Sequence, residues 1–358
     1  MSEQNSNSKD YKNSGGVDTR LADQWVERLQ DSAKKYVNAG LASKMKSGIG
    51  DYASVYELSS QQWVATSCDG VGTKLLWTLE GLGRVEDLAC DLLAMNANDV
   101  LCVGAKPTLF LDYLALGSHS LLEKGGLLEN FVGALQKLCF ESGQMLVGGE
   151  TAQMPDLYQG KHFDLAGFSV GFLEPEQFLS IENVQVGAEL WAWPSSGPHS
   201  NGYSWLRKIF DSTKDKSFIE QHLMKPTKLY VNEFLDFQKT LTAMNELSAL
   251  QAAFHITGSG YLNLVRAQPK GRSLGFDLCE WNFEKELPMW VSELRKRSGA
   301  TLEELATSFN CGWGMILVLD QKFTSQNLSV LQKFGLRKLG KVTDGDAVLI
   351  PGLKPLTE

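Results

Sequence analysis

No stretch of this sequence approaches the roughly 18 to 20 consecutive apolar residues that carry a helix across a bilayer. Its polar opening, Met1-Ser2-Glu3-Gln4-Asn5-Ser6, has no apolar core of the kind a secretory leader needs. The expectation is a cytoplasmic protein without a membrane partner. Positive charge is also scarce: 34 lysines and arginines face 42 aspartates and glutamates, for a net charge of −8. No basic run could follow a phosphodiester backbone, so nucleic acid is set aside as a partner. The six cysteines (Cys68, Cys90, Cys102, Cys139, Cys279 and Cys311) form no C-x-x-C pair and lie near no histidine at zinc-ligand spacing. They read as reduced, mostly buried side chains. Familiar nucleotide fingerprints are missing as well. Gly70 to Lys74 lacks the Walker A spacing, and the turn from Gly258 to Asn263 does not complete a dinucleotide motif.

What is present is an ordinary globular composition, 43% hydrophobic and 21% charged, in a chain of 358 residues. Single cores stop growing at about 250 to 300 residues, so two domains are expected, with a cleft between them. Residues 1–18 are polar and read as a flexible tail; 19–176 form the first domain and 177–358 the second. Glu174-Pro175-Glu176 marks the boundary.

The densest chemistry lies between Thr66 and Leu75, where a β-prone run ends in Asp69, Gly70, Gly72, Thr73 and Lys74. A carboxylate, two glycines, a hydroxyl and an ammonium so close together can hold a metal ion and a phosphate. Apolar spacing predicts a helix over 83–104 with Asp91 and Asn98 two turns apart on one side and Asp99 about a quarter turn away. Carboxylates in so apolar a helix need a partner. Strands follow at Pro107 to Ala115, with Asp112 in the middle, at Met145 to Ala152, which breaks into Gly148-Gly149-Glu150, and at Phe163 to Leu173. After the boundary, Glu189 to Trp193 reads as a strand. The turn Pro194-Ser195-Ser196-Gly197-Pro198-His199-Ser200-Asn201-Gly202 precedes a helix, a plausible anion site. Further on, 229–241 and 244–253 read as helices and Met315 to Leu319 as a strand. The fold class is α/β (α+β), with helices on one face of the first sheet.

Asp69, Asp91, Asp99, Asp112 and Glu150 together suit a hard cation such as Mg²⁺, which takes carboxylates plus phosphate oxygens. That pattern points to phosphoryl transfer from a nucleotide, where positioning and charge neutralisation do most of the work.

Several of these motifs occur in register with a known family. Asp69-Gly-Val-Gly-Thr-Lys74, Asp91-Leu-Leu-Ala-Met with Asn98-Asp99, Phe110-Leu-Asp-Tyr113, Leu146-Val-Gly-Gly-Glu-Thr-Ala152 and Ser195-Ser-Gly-Pro-His-Ser-Asn-Gly-Tyr203 resemble the phosphoribosylformylglycinamidine cyclo-ligase family. The similarity runs from Tyr11-Lys12 and Gly16-Val17-Asp18 to Asn310-Cys311-Gly312 and beyond. The resemblance implies ring closure of formylglycinamidine ribonucleotide to aminoimidazole ribonucleotide, driven by ATP and Mg²⁺, through phosphorylation of the formamide oxygen. It implies a homodimer whose N-terminal sheets form a barrel. Carried over by motif, Asp69, Asp91 and Asp99 would bind metal. Asp69, Gly70, Gly72, Thr73, Lys74, Asn98, Gly148, Gly149 and Glu150 would hold the nucleotide. Ser196, Gly197, His199, Ser200 and Asn201 would meet the substrate, and His199, Lys74 and Asp112 would be catalytic. Alternatives are another ATP-using member of the superfamily, or a catalytically weakened nucleotide-binding paralogue. This chain departs from the family pattern in a short glycine run (Ser47 to Asp51), in Cys68 where threonine is usual, in Gln153 where glutamate is usual, and in Gly258-Ser259-Gly260.

Overall fold

The computed structural model describes residues 19–36 and 39–357. The expected tail, with Tyr11, Lys12, Gly16, Val17 and Asp18, lies outside the described residues. The chain opens with α1 (Thr19–Tyr36), followed by β1 (Met45–Ser47), β2 (Ser54–Glu57) and β3 (Trp63–Gly70), then α2 (Val85–Cys102) and β4 (Lys106–Leu116). Next come α3 (Phe131–Glu141), β5 (Met145–Gln153) and β6 (Phe163–Leu173). These strands form one six-stranded sheet in the order β1-β2-β3-β6-β4-β5, antiparallel except for the β4–β5 pair.

Alternation along β6 sends Leu165, Gly167, Ser169 and Gly171 to the buried side and Asp164 and Phe168 outward. Helices α2 and α3 cover the buried side, where Leu88, Leu92, Phe110, Leu114, Phe131 and Leu165 share one core. The other side carries Cys68, Phe168 and Val147, all exposed. Helix α2 begins with Glu86 and Asp87, favourable to the positive end of the helix dipole. Fourteen of its 18 residues are buried, because it is wedged between the first sheet and the second domain.

The second domain holds β7 (Glu189–Pro194), α4 (Tyr203–Ile209), α5 (Val231–Ala243), β8 (Leu250–His255), β9 (Leu274–Asp277), α6 (Met289–Ser298), β10 (Trp313–Leu319), β11 (Arg337–Asp344) and β12 (Val348–Leu349). Its six strands run β12-β9-β11-β7-β10-β8. The architecture is the expected two-domain α/β fold, each domain with its own mixed sheet.

Two expectations are corrected. Residues 244–253, expected as helix, leave α5 through Asn245 in the left-handed region (φ 57) and enter β8, whose six residues are all buried. A continuous apolar run carries no period to separate strand from buried helix. Residues 45–47, where the sequence pattern predicts no strand, form β1, which pairs with β2 as a hairpin.

Candidate functional site

A cleft of about 660 Å³ lies between the two domains. Five segments wall it: Lys46 to Ser54, the end of β3 from Thr66 to Asp69, the end of α2 from Asp99 to Val103, the interdomain stretch from Phe178 to Glu182, and residues 252–270 of the second domain. The short glycine run holds its shape through its own contacts. Gly48 N donates to Asp51 Oδ2 (3.0 Å), Ser47 Oγ donates to the Ala53 carbonyl (2.7 Å), and Tyr52 Oη donates to the His255 carbonyl (3.0 Å).

Asp69 and Asp99 reach this cleft from different elements. On β3, Asp69 takes the Gly70 N–H on Oδ1 (2.7 Å), while its own N–H donates to Asn96 Oδ1 (2.7 Å). Burial raises its carboxyl to about 6, and the nearby Asp99 charge adds to that. Asp99 is also raised, by burial first, against the lowering pull of His255 and Ser67. Two partly buried carboxylates in one cleft, with one charge adding to the other's proton affinity, make a place where a cation is welcome.

Sequence reasoning missed His255, at the end of β8, just past the segment expected as helix. Its Nδ1 lies 3.0 Å from Asp99 Oδ1, and its Nε2 3.3 Å from Asn98 Nδ2. The proton position follows from Asn98. Its Oδ1 accepts the Tyr230 N–H (3.0 Å) and its Nδ2 donates to the Lys228 carbonyl (2.9 Å), so the amide cannot be flipped. The second Nδ2 proton then faces His255 Nε2, which accepts it. The imidazole proton therefore sits on Nδ1 and points at Asp99. His255 orients Asp99 as an outer partner orients a metal ligand.

The other expected site residues lie elsewhere. Lys74 and Asp91 are fully buried against each other, Nζ to Oδ2 at 2.6 Å, behind the cleft wall. Lys74 Nζ also donates to the Lys225 carbonyl (2.7 Å), and Asp91 Oδ1 accepts from Thr227 N and Oγ1 (both 2.7 Å). Asp91 and Asp99 are eight residues apart on α2, about 12 Å along its axis. Accordingly, the three aspartates expected as one metal set do not converge, and among the described residues no cluster of three or more acidic, histidine or cysteine side chains could hold a metal. Asn98 is likewise occupied by the second domain rather than facing a nucleotide. The Gly70 to Lys74 turn docks on that domain too, with Thr73 Oγ1 3.0 Å from Ser204 Oγ and Gly72 in the left-handed region at φ 69.

Asp112 sits two strands from Asp69 in one row across the sheet, with Gly167 between them and Gly149 beyond. At about 4.8 Å per strand, the two aspartates stand roughly 10 Å apart. Glu150 is paired with Tyr113 one residue further along β5, so its side chain takes the opposite, exposed face. Neither Asp112, Gly148, Gly149 nor Glu150 lines the cleft.

The turn at 195–203 does not line it either. His199 is fully buried, with Nε2 accepting N–H groups from Ser196 (3.1 Å) and Lys228 (3.4 Å), so its proton is on Nδ1, which has no partner among the described residues. Burial holds this imidazole well below its usual range, hence neutral. Ser196 Oγ donates to the Pro226 carbonyl (2.5 Å), Asn310 Nδ2 to the Gly197 carbonyl (2.8 Å), and Asn201 Nδ2 to the His199 carbonyl (2.5 Å). Ser200 Oγ lies 3.1 Å from Thr227 Oγ1. The expected substrate contacts are thus engaged inside the protein, because a turn with so many polar groups satisfies them internally when it packs at a domain junction.

With this geometry in hand, comparison with known proteins is direct. Residues 50–173 match the N-terminal domain, and 185–350 the C-terminal domain, of the family described as AIR synthase related protein. A phosphoribosylformylglycinamidine cyclo-ligase from Xanthomonas euvesicatoria is 35% identical over 341 residues, 91% of this chain and 95% of its own. Another, from Nitrosococcus oceani, is 35% identical over 332 residues, 89% of this chain and 87% of its own. Among solved structures, thiamine monophosphate kinase of Aquifex aeolicus aligns with a TM-score of 0.59 at 18% identity, covering 93% of this chain and 98% of its own. Phosphoribosylformylglycinamidine synthase II of Thermotoga maritima aligns at 0.57 and 15%, covering 90% of this chain and 48% of its own. At such identities these structures speak to the fold alone. Both domains match in order and the relatives align along nearly their whole length, so the chain belongs to the AIR synthase related family, in its phosphoribosylformylglycinamidine cyclo-ligase branch.

Proposed function

We propose that this protein closes the imidazole ring of aminoimidazole ribonucleotide in purine biosynthesis, at the cost of one ATP. ATP transfers its terminal phosphoryl group to the formamide oxygen of formylglycinamidine ribonucleotide. The amidine nitrogen then attacks the activated carbon, and phosphate leaves. The observation that carries this reading is the pairing of Asp69 and Asp99 in one interdomain cleft, with His255 holding Asp99 from behind.

Mg²⁺ held by Asp69 and Asp99 would neutralise the phosphates of the bound nucleotide. Lys46, Arg266 and Lys270 are the cationic side chains on the cleft wall and are offered as its phosphate contacts. The half-exposed face with Phe168 (42%) and Val147 (47%) supports a homodimer built on the first sheet, which would bring Gly148, Gly149 and Glu150 against a second copy. Among the described residues no helix is long and apolar enough to cross a membrane, and a cytoplasmic location remains part of this reading.

The test is to supply purified protein with ATP, Mg²⁺ and formylglycinamidine ribonucleotide and to follow ADP and aminoimidazole ribonucleotide together. Equal amounts of both products support the reading. ADP formed only with another acceptor, or nucleotide bound without turnover, refutes it.

A further inference from the structure

Residues 225–230 cross the domain junction between helix α2 and the His199 turn, and they are gripped from both sides. From the first domain, Lys74 holds the Lys225 carbonyl, Asp91 holds Thr227 through its N–H and hydroxyl, and Asn98 holds the Lys228 carbonyl and the Tyr230 N–H. Cys90 Sγ adds a longer contact to the Thr227 carbonyl (3.4 Å). From the second domain, Ser196 Oγ reaches the Pro226 carbonyl, Ser200 Oγ meets Thr227 Oγ1, and the Lys228 N–H points at His199 Nε2. The segment thus ties the first domain to the histidine turn, with partners alternating between the two along its length.

The chemistry of the Lys74–Asp91 pair excludes an easy role as ligands. Both side chains are fully buried, their charges compensate each other at 2.6 Å, and the second carboxylate oxygen already accepts two hydrogen bonds. A phosphate or a metal ion could recruit either group only by stripping it from its partner and leaving the other charge buried and uncompensated, which is strongly unfavourable. Buried pairs of this kind add little net stability, and their best-attested use is to fix one arrangement over its alternatives. Here the arrangement fixed is the register of residues 225–230 against α2.

We propose that Lys74 and Asp91 are positioning residues. Acting through Lys225 and Thr227 on the segment whose Lys228 N–H meets His199, they set the orientation of the His199 imidazole relative to the Asp69–Asp99 cleft, and they do not contact metal or nucleotide. The effect on turnover rests on the proposed function; the effects on binding and on the segment itself do not.

The experiment compares Lys74→Met, Asp91→Asn and the double variant Lys74→Met/Asp91→Asn with the unaltered protein. Each single variant leaves one buried charge uncompensated. The double variant removes both charges and keeps an amide oxygen facing Thr227. Three readouts are taken: Mg·ATP affinity by calorimetry, amide hydrogen exchange at residues 225–230, and the ring nitrogen resonances of His199. Turnover is measured alongside. The single variants are expected to exchange faster at 225–230 and to shift the His199 resonances, with Mg·ATP affinity changed by less than about tenfold. Turnover should fall by roughly 100-fold, the scale on which a displaced group slows a reaction. The double variant should recover most of the amide protection, a non-additivity that marks a coupled pair.

Loss of Mg·ATP affinity by more than about 100-fold in the single and double variants alike, with exchange and resonances unchanged, would make both residues ligands and overturn the proposal. If a single variant does not fold, the double variant and Thr227→Val are measured by the same readouts and decide between the same two outcomes. Because binding, exchange and resonances need no turnover, an absence of cyclo-ligase activity would count against the proposed function and leave this test intact.

Discussion

The sharpest expectation concerns the proton on Asp69. Its carboxyl titrates near 6 in the folded protein, against an ordinary value of 3.8, because it is buried beside Asp99. At about 1.4 kcal/mol per tenfold, ionising it in place costs roughly 3 kcal/mol relative to the unfolded chain. The sign follows from the direction. A raised carboxyl favours the fold fully below the unfolded value, loses that contribution as pH climbs from 3.8 towards 6, and leaves the folded state carrying the whole cost above 6. Asp69→Asn removes the charge while keeping an oxygen for the Gly70 N–H. In metal-free buffer, the variant should therefore be more stable than the unaltered protein by up to about 3 kcal/mol at pH 8 and by almost nothing near pH 4, as read by urea unfolding. Adding Mg²⁺ should reverse the order above pH 6, by stabilising the unaltered protein alone. A variant less stable than the unaltered protein at pH 8 without metal would refute the argument that Asp69 is a strained, cation-seeking carboxylate.

Three further outcomes are expected. His255→Asn removes the hydrogen bond that pulls the Asp99 carboxyl down against burial, so that carboxyl rises further and the acid limb of the kcat/KM profile moves to higher pH; an unmoved limb would separate His255 from Asp99. Gly167→Ala places a methyl group 2.6 Å from Asn96 Nδ2 and from the Phe110 ring, so it should cost about 1 to 3 kcal/mol in urea unfolding. It should also weaken Mg·ATP binding by disturbing the Asn96 contact to the Asp69 amide. Phe168→Glu puts a charge on the half-exposed face of the first sheet and should shift the protein from dimer to monomer in sedimentation velocity; a protein that sediments as a monomer before the change would remove the dimer from the reading.

Strands β3 to β6 and helix α2 of the first domain were legible because their periods are clean, whereas the short β1 and β2 were not. The alternation of Phe163 to Leu173 and the apolar flanks of Asp91 to Asp99 left little choice. Residues 244–253 were not, since an apolar run without a period hides whether it belongs to a strand, and with it went His255. The site was half legible for a related reason. Asp69, Lys74, Asp91 and Asn98 share one polar character in the sequence, yet a single helical turn decides whether such a group faces a cleft or a neighbouring domain. Asp99 faces the cleft and Asn98, next to it, does not. Partners such as Lys225 and Thr227, more than a hundred residues away, make that decision, and no local pattern announces them.

His199 and Ser200 both hold left-handed backbone, at φ 56 and 57. Side-chain-bearing residues resist that conformation by about 1 to 2 kcal/mol each, so neighbouring structure must impose it. Part of that neighbourhood is residues 225–230, which are themselves pinned by the other domain. The two halves of this chain match separate family descriptions and look like exchangeable modules, but the histidine turn is a property of their union. A half-protein cut at the domain boundary would carry every residue of the turn and lack the grip that shapes it, so swapping one half for that of a relative would inherit the fold more readily than the activity.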